Sequence, residues 1–398
     1  LATKHVTHYI ADHTGLESLC TQLREADRIA IDTEFVGEDN YVPRLELIQL
    51  ATHSVAAVLD FPALQAKGPL DSFWELLCRP TVEKVLHAGR QDLELFTTHA
   101  GQVPKPFFDT QIAAAMVGHG AQVAYANLVQ RVNGTRLAKA HTFTNWSQRP
   151  LTKEQITYAL EDVQYLLPVH DHLRGKLTSL GRLDWVQEEF DRLESVLGSG
   201  TREPQERYQR IRGWENLKPK TAAVLRALAA WREGEAKRKN VPRGRVLRDE
   251  VIVQLARQAP KTIEELRGIR GLHPSEIDRN GATILDVIQK ALALPPSEWP
   301  EIPHDKKPEP ESTGLVELLQ AVLKTRAAEA DIAPTLLATT ADLQALVEAK
   351  EQRDTLELPI LRGWRREIAG GTLLEVLDGK KAVSVDPRTG KMKLTPSH

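Results

Sequence analysis

RIAIDTEF, residues 28 to 35, is the stretch on which the fold turns. Ile29, Ile31 and Thr33 alternate with Ala30, Asp32 and Glu34. That is the two-residue period of a strand, so Asp32 and Glu34 share one face. Two carboxylates side by side on a stiff strand repel each other, and only positive charge relieves them. They make a poor core and a good floor for a cation. Taken alone, the pair fits a solvated strand end equally well.

Two further patches change that balance. In VLHAGRQDLELF (85 to 96), Val82 to His87 reads as a short strand running through Ala88-Gly89 into a helix from near Gln91. Asp92 then falls in the first helical turn, where it can also simply complement the helix dipole. His87, at the strand end, suits a packed imidazole better than a ligand, because hard Mg²⁺ prefers oxygen. In YALEDVQYL (158 to 166), Tyr158 and Asp162 stand four residues apart on a helix expected from about Lys153 to Leu167. They share a face, and Ile156, Leu160, Val163 and Leu167 trace an apolar stripe on another. Pro168 should kink or end that helix. A tyrosine one turn before a carboxylate can hold an attacking water against a cation, although an aromatic at a helix-core boundary has the same spacing. Together Asp32, Glu34, Asp92 and Asp162 offer the hard, negative oxygens that two divalent cations require for phosphodiester cleavage, with Tyr158 beside them.

On these residues the chain resembles the ribonuclease D family, in the tyrosine-bearing branch of the DEDD superfamily of 3′→5′ exonucleases. The family's first motif matches Asp32 and Glu34, its second Asp92 within HAGRQDLELF, and its third Tyr158 and Asp162 within YxxxD. YVPRLELIQLA (41 to 51), FDTQIAAAM (108 to 116), YANLV (125 to 129) and TFTNWSQRPLTKEQITYALEDVQYL (142 to 166) are also similar to it. The departures are Asn145 where an aspartate is usual, Glu161 beside Asp162, and extra negative charge at Glu38 and Asp39. None removes a candidate ligand. The resemblance implies that two divalent cations, Mg²⁺ or Mn²⁺, assist water in releasing a nucleotide from a 3′ end. Asp32 would serve both cations, Glu34 and Asp162 the one that activates water, and Asp92 the one near the leaving oxygen. Tyr158 would orient the nucleophile.

The net charge of −2 over 398 residues hides an asymmetry. Residues 1 to 200 carry 18 basic and 25 acidic side chains, and residues 201 to 300 carry 20 and 13. The middle segment is therefore the natural place for a polyanion. It lies between two linker-like stretches, SVLGSGTREPQE (195 to 206) and ALPPSEWPEIPHDKKPEPESTG (293 to 314). Its pattern is helix, basic turn, helix, short helix, with Val224, Leu225, Leu228 and Trp231 as an apolar stripe. AAWREGEAKRKNVPRGRVLRDE (229 to 250) and APKTIEELRGIRGL (259 to 272) resemble an HRDC domain. Lys237, Arg238, Lys239, Arg243, Arg245 and Arg248 surround the Asn240-Val241-Pro242 turn, where they could track phosphates or form an ordinary solvated helix end.

Bottom-up reading gives an α/β region followed by all-α segments. The resemblance sharpens this to a ribonuclease H-like exonuclease domain over 1–200, with a mixed sheet flanked by helices. An HRDC domain over 206–295 and a second HRDC-like helical domain over 312–380 follow. Gly370-Gly371 is expected to stop a helix, and the chain from Ser384 to form a small hairpin. No run of about 18 apolar residues occurs, and the N-terminal stretch lacks the order of a secretory signal. Two cysteines, Cys20 and Cys78, suit core filler in a reduced cytoplasmic protein. No Gly-rich phosphate loop is present, which excludes an ATP-driven helicase and any nucleotide cofactor of that kind. The expected partner is RNA, namely tRNA precursors and other small structured RNAs. A DNA-directed exonuclease and a nucleic-acid scaffold with a dead nuclease fold are the alternatives.

Overall fold

The computed structural model describes residues 5–37, 39–137, 145–198, 204–302, 310–349, 353 and 355–397. Glu38, residues 142–144 and parts of both linker-like stretches lie outside the described residues. The chain forms two compact units, one of residues 1–33, 47–195 and 307–398, the other of 34–46 and 196–306.

A six-stranded mixed sheet frames the first unit, with residues 34–36 and 44–46 of two of its strands belonging to the second. Its strands are β1 (Val6–Ile10), β2 (Arg28–Val36), β3 (Arg44–Ala51), β4 (Val55–Asp60), β5 (Glu83–Leu86) and β6 (Phe107–Asp109). They lie in the order β1-β4-β3-β2-β5-β6. β3 and β4 are antiparallel, whereas β1 is parallel to β4, β2 to β5, and β5 to β6. β3 and β4 are buried along nearly their whole length; β4 reads as a near-continuous apolar run, whereas β3 buries Glu46 and Gln49 among its apolar residues. Because β2 pairs with β5 only as far as Ala30↔Val85, its Asp32–Val36 end runs past that partner. The carboxyl ends of β2, β5 and β6 thus open on one edge of the sheet, the usual place for a site in an α/β fold.

The helix carrying the third motif spans Lys153–Gln164, and Thr152 closes its start with a reciprocal capping box to Gln155. It ends at Tyr165. A new helix, Leu166–Ser179, begins there and holds Pro168 in its first turn, where no backbone N–H is missed.

The C-terminal segment groups with the first unit. Trp364 stacks on Trp185 at 5.0 Å and donates its indole N–H to Glu188, while Arg365 reaches Glu188 and Glu189. Arg182 donates to the carbonyls of Met116 and Ala330. The expected stop at Gly370-Gly371 is not one. Both glycines are helical, and Gly370 is needed because a Cβ there would lie 2.0 Å from the Ile360 carbonyl oxygen. The terminal hairpin pairs Lys381–Val385 with Met392–Pro396.

The second unit packs the helix Pro219–Lys239 against Asp249–Gln258 and Pro274–Leu292. Leu225, Leu228, Ile252, Leu255, Ile284 and Ile288 fill its core. Asn240, at φ 49°, ends the first of these helices in the left-handed conformation and starts the basic turn.

Candidate active site

Each sequence-predicted acid stands where its element delivers it. Asp32 and Glu34 alternate with buried Ile31 and Thr33 near the end of β2, and both remain half-buried. Asp92 occupies the first turn of the helix Arg90–Ala100 and is 8% exposed. The Thr33 hydroxyl donates to Asp92 Oδ1. This ties the second motif to the residue lying between the two acids of the first.

The turn before Asp92 is held by a residue that sequence reading passed over. Ala88 sits at φ 55°, and its N–H and that of Gly89 donate to the Asp109 carboxylate at 3.1 and 2.9 Å. Asp109, at the end of β6, also accepts from the N–H groups of Gln111 and Ile112, so one carboxylate fixes two chain reversals. Gly89 is required, since a Cβ would meet the Leu86 side chain at 2.6 Å. His87 is the packed imidazole expected, bonded to Thr110 Oγ1 and the Val123 carbonyl.

Tyr158 donates its hydroxyl to Asp162, and the Trp146 ring lies 6.0 Å from the Tyr158 ring. The segment bearing Trp146 is anchored by Arg149, which forks onto Asp60 and also donates to the Trp146 carbonyl at 2.6 Å. Tyr125 connects the first and third motifs. Its hydroxyl donates to the Glu161 carbonyl, and the negative charges of Asp162 and Asp32 both act on it. Burial first, and then those two carboxylates, hold the phenol strongly protonated. Tyr125 lay inside a family-like stretch, but nothing in its spacing marked it.

Burial dominates the electrostatics of two of these acids. Burial pushes Asp162 up to about 7, with Glu161 adding to the shift and the Tyr158 hydroxyl opposing it. Burial likewise pushes Asp92 up to about 6, with the Asp109 charge adding and Thr33 opposing. Among the described residues no group of three or more His, Cys, Asp or Glu side chains is gathered closely enough to hold a metal ion.

The expected phosphate-tracking residues are mostly spoken for. Arg238 and Lys239 pair with Glu235, Arg243 with Glu233, and Arg245 with Asp39. Lys237 and Arg248 are exposed, with no ion-pair partner among the described residues. Asp39, part of the extra negative charge after the first motif, has that charge met by Arg245.

Sheet, helices and site edge define a 3′-5′ exonuclease domain followed by a helical HRDC module. Residues 7–178 match the 3′-5′ exonuclease family model, and residues 221–288 match the HRDC domain model. Ribonuclease D from Granulibacter bethesdensis is 38% identical over 396 residues, covering 97% of this chain and 96% of that protein. Ribonuclease D from Acidiphilium cryptum is 40% identical, covering 94% of each. The solved structure of Escherichia coli RNase D superposes with a TM-score of 0.81 at 29% identity, covering 94% of this chain and 99% of that one. The chain belongs to the ribonuclease D family and is a 3′→5′ exoribonuclease.

Proposed function

We propose that the enzyme trims the 3′ ends of tRNA precursors and other small structured RNAs, releasing nucleoside 5′-monophosphates, with Asp32, Glu34, Asp92 and Asp162 holding two divalent cations, Mg²⁺ or Mn²⁺. The donor set fits hard cations: four carboxylates, two of which resist ionisation until positive charge arrives. When bound, such cations stabilise charge on the entering and leaving oxygens and ease deprotonation of water. No soft Cys/His grouping competes for zinc among the described residues.

The chain's own side chains do the rest. Tyr158 is oriented by its bond to Asp162 and packed near Trp146, so its hydroxyl oxygen is positioned to steer a water molecule. Water oxygen attacks the terminal phosphorus, the bond to the penultimate 3′ oxygen breaks, and that oxygen takes a proton. Asp92, fixed by Thr33, stands for the leaving side, and Asp32 serves both sides. The solved E. coli RNase D is described as an exoribonuclease involved in structured RNA processing, which supports the choice of RNA class.

The observation that carries this reading is the Tyr158–Asp162 pair in register with the Asp32 end of β2 through Tyr125. The test is to incubate 3′-extended tRNA, unstructured RNA and single-stranded DNA with Mg²⁺ or Mn²⁺ and to resolve the products by length. A ladder shortening from the 3′ end of the tRNA, with mononucleotide release that chelator abolishes, is expected. Preference for DNA, or activity persisting in excess chelator, would overturn it.

A further inference from the structure

A second polar site lies wholly within the helical unit. Arg207, Arg210, Arg232, Arg243 and Arg248 line one cavity of about 480 Å³, together with the carboxylates Asp249 and Glu250. Five guanidinium groups facing one space repel each other, and the nearby acids do not balance them. Asp249 is taken by Arg232 at 2.6 Å. Glu233 is shared between Arg207 and Arg243. Arg210 and Arg248 are exposed and have no ion-pair partner among the described residues.

Two of the five also carry unspent hydrogen bonds. Arg232 is 7% exposed, and its Nε–H is buried without an acceptor, although its Nη1 donates to both the Leu247 carbonyl and Asp249. Arg207 Nε lies 2.8 Å from Glu233 Oε1 but is not aimed to donate to it, so it too is unsatisfied. Leaving such a donor buried and unsatisfied is costly, and an anion could meet it. The arrangement is nevertheless stiff. Tyr41 lays its ring 4.8 Å under Arg243 and bonds its hydroxyl to Glu233. Burial, with the charges of Arg243 and Arg210 pressing on it, weakens the proton affinity of Arg207.

We propose that this cavity is a phosphate-binding site and that its occupant is a backbone phosphate of the RNA. Planar guanidinium forks match phosphate oxygens in pairs, and a phosphate offers enough acceptors to meet several arginines at once. The cavity falls within the about 300–1,000 Å³ typical of small-ligand sites, so an attached sugar has room beside the phosphate. It shares Arg243 and Arg248 with the basic turn but is otherwise different: Arg207, Arg210 and Arg232 belong to it, whereas Lys237, Arg238, Lys239 and Arg245 do not. The RNA occupant rests on the proposed substrate class, and recognition of phosphate itself does not.

The test uses the full chain in chelator, where hydrolysis is silent and failure of the metal reading has no bearing. Binding of a labelled single-stranded RNA is measured against salt for the wild type, for R210A/R248A and for R210K/R248K, with titration of inorganic phosphate in parallel. Both positions are exposed, and matched melting curves establish that the variants fold. The alanine pair should weaken RNA binding about tenfold and flatten the logarithmic salt slope by about one to two, and the lysine pair should recover much of that loss. Wild type alone should bind phosphate in the absence of RNA. Phosphate bound with RNA affinity unchanged in R210A/R248A would overturn the RNA occupant. An unchanged salt slope with no phosphate bound would overturn the site.

Discussion

Asp162 and Asp92 are acids held partly protonated by burial, and this gives the metal-free enzyme a definite pH signature. A carboxyl raised to about 7 in the folded state binds a proton that the unfolded chain, near 3.8, has already released. Stability without metal therefore falls as pH rises through the window between those values. Asp162→Asn should remove much of that slope and raise the melting temperature of the chelated protein by a few degrees near pH 8, since about 1 kcal/mol moves a unit of this size by about 2–4 °C. Melting curves from about pH 5 to pH 8 in chelator check this, and parallel curves for the two proteins would refute it. The same substitution should lower kcat by about 10²–10³ with metal present. Tyr158→Phe keeps the ring and loses the hydroxyl. Metal binding by calorimetry should be retained while turnover falls about 10²-fold.

At the scale of elements, the alternating pattern of RIAIDTEF made β2 legible, and the run from Val82 to His87 did the same for β5. β6 is only three residues long, Phe107–Asp109, too short for a period to register. With it went the role of Asp109, whose four backbone partners come from two separate turns. Asp109→Asn replaces one accepting oxygen with a donor that faces N–H groups. It should cost about 1–3 kcal/mol in denaturant unfolding and reduce activity, because Asp92 follows the turn that Asp109 fixes. Gly370-Gly371 was misread for a similar reason. Glycine pairs usually end helices, and close approach of the Ile360 carbonyl cannot be seen from spacing. Gly370→Ala should destabilise by about 1–3 kcal/mol, measured the same way, and an unchanged midpoint would contradict the contact.

Across the molecule, charge counting marks residues 201 to 300 as basic but does not show how those charges are wired. Net positive charge in residues 201 to 300 is a sum over sequence, whereas pairing of Arg243 with Glu233 and of Arg245 with Asp39 needs the folded unit. The five candidate residues of the nuclease motifs can be proposed from sequence because the chemistry expected of them fixes their type. Tyr125, Thr33 and Arg149 cannot, because their roles are positional. Truncation at residue 200 does not isolate the contribution of the helical module, because it also removes Trp364 and Arg365 from Trp185, Glu188 and Glu189. Among the described residues no helix is long and apolar enough to cross a membrane. The most direct test of the central claim is an anomalous-scattering map from crystals soaked in Mn²⁺. The account predicts two adjacent peaks within reach of Asp32, Glu34, Asp92 and Asp162, lost in Asp32→Asn crystals. Peaks elsewhere, or none at saturating Mn²⁺, would contradict it.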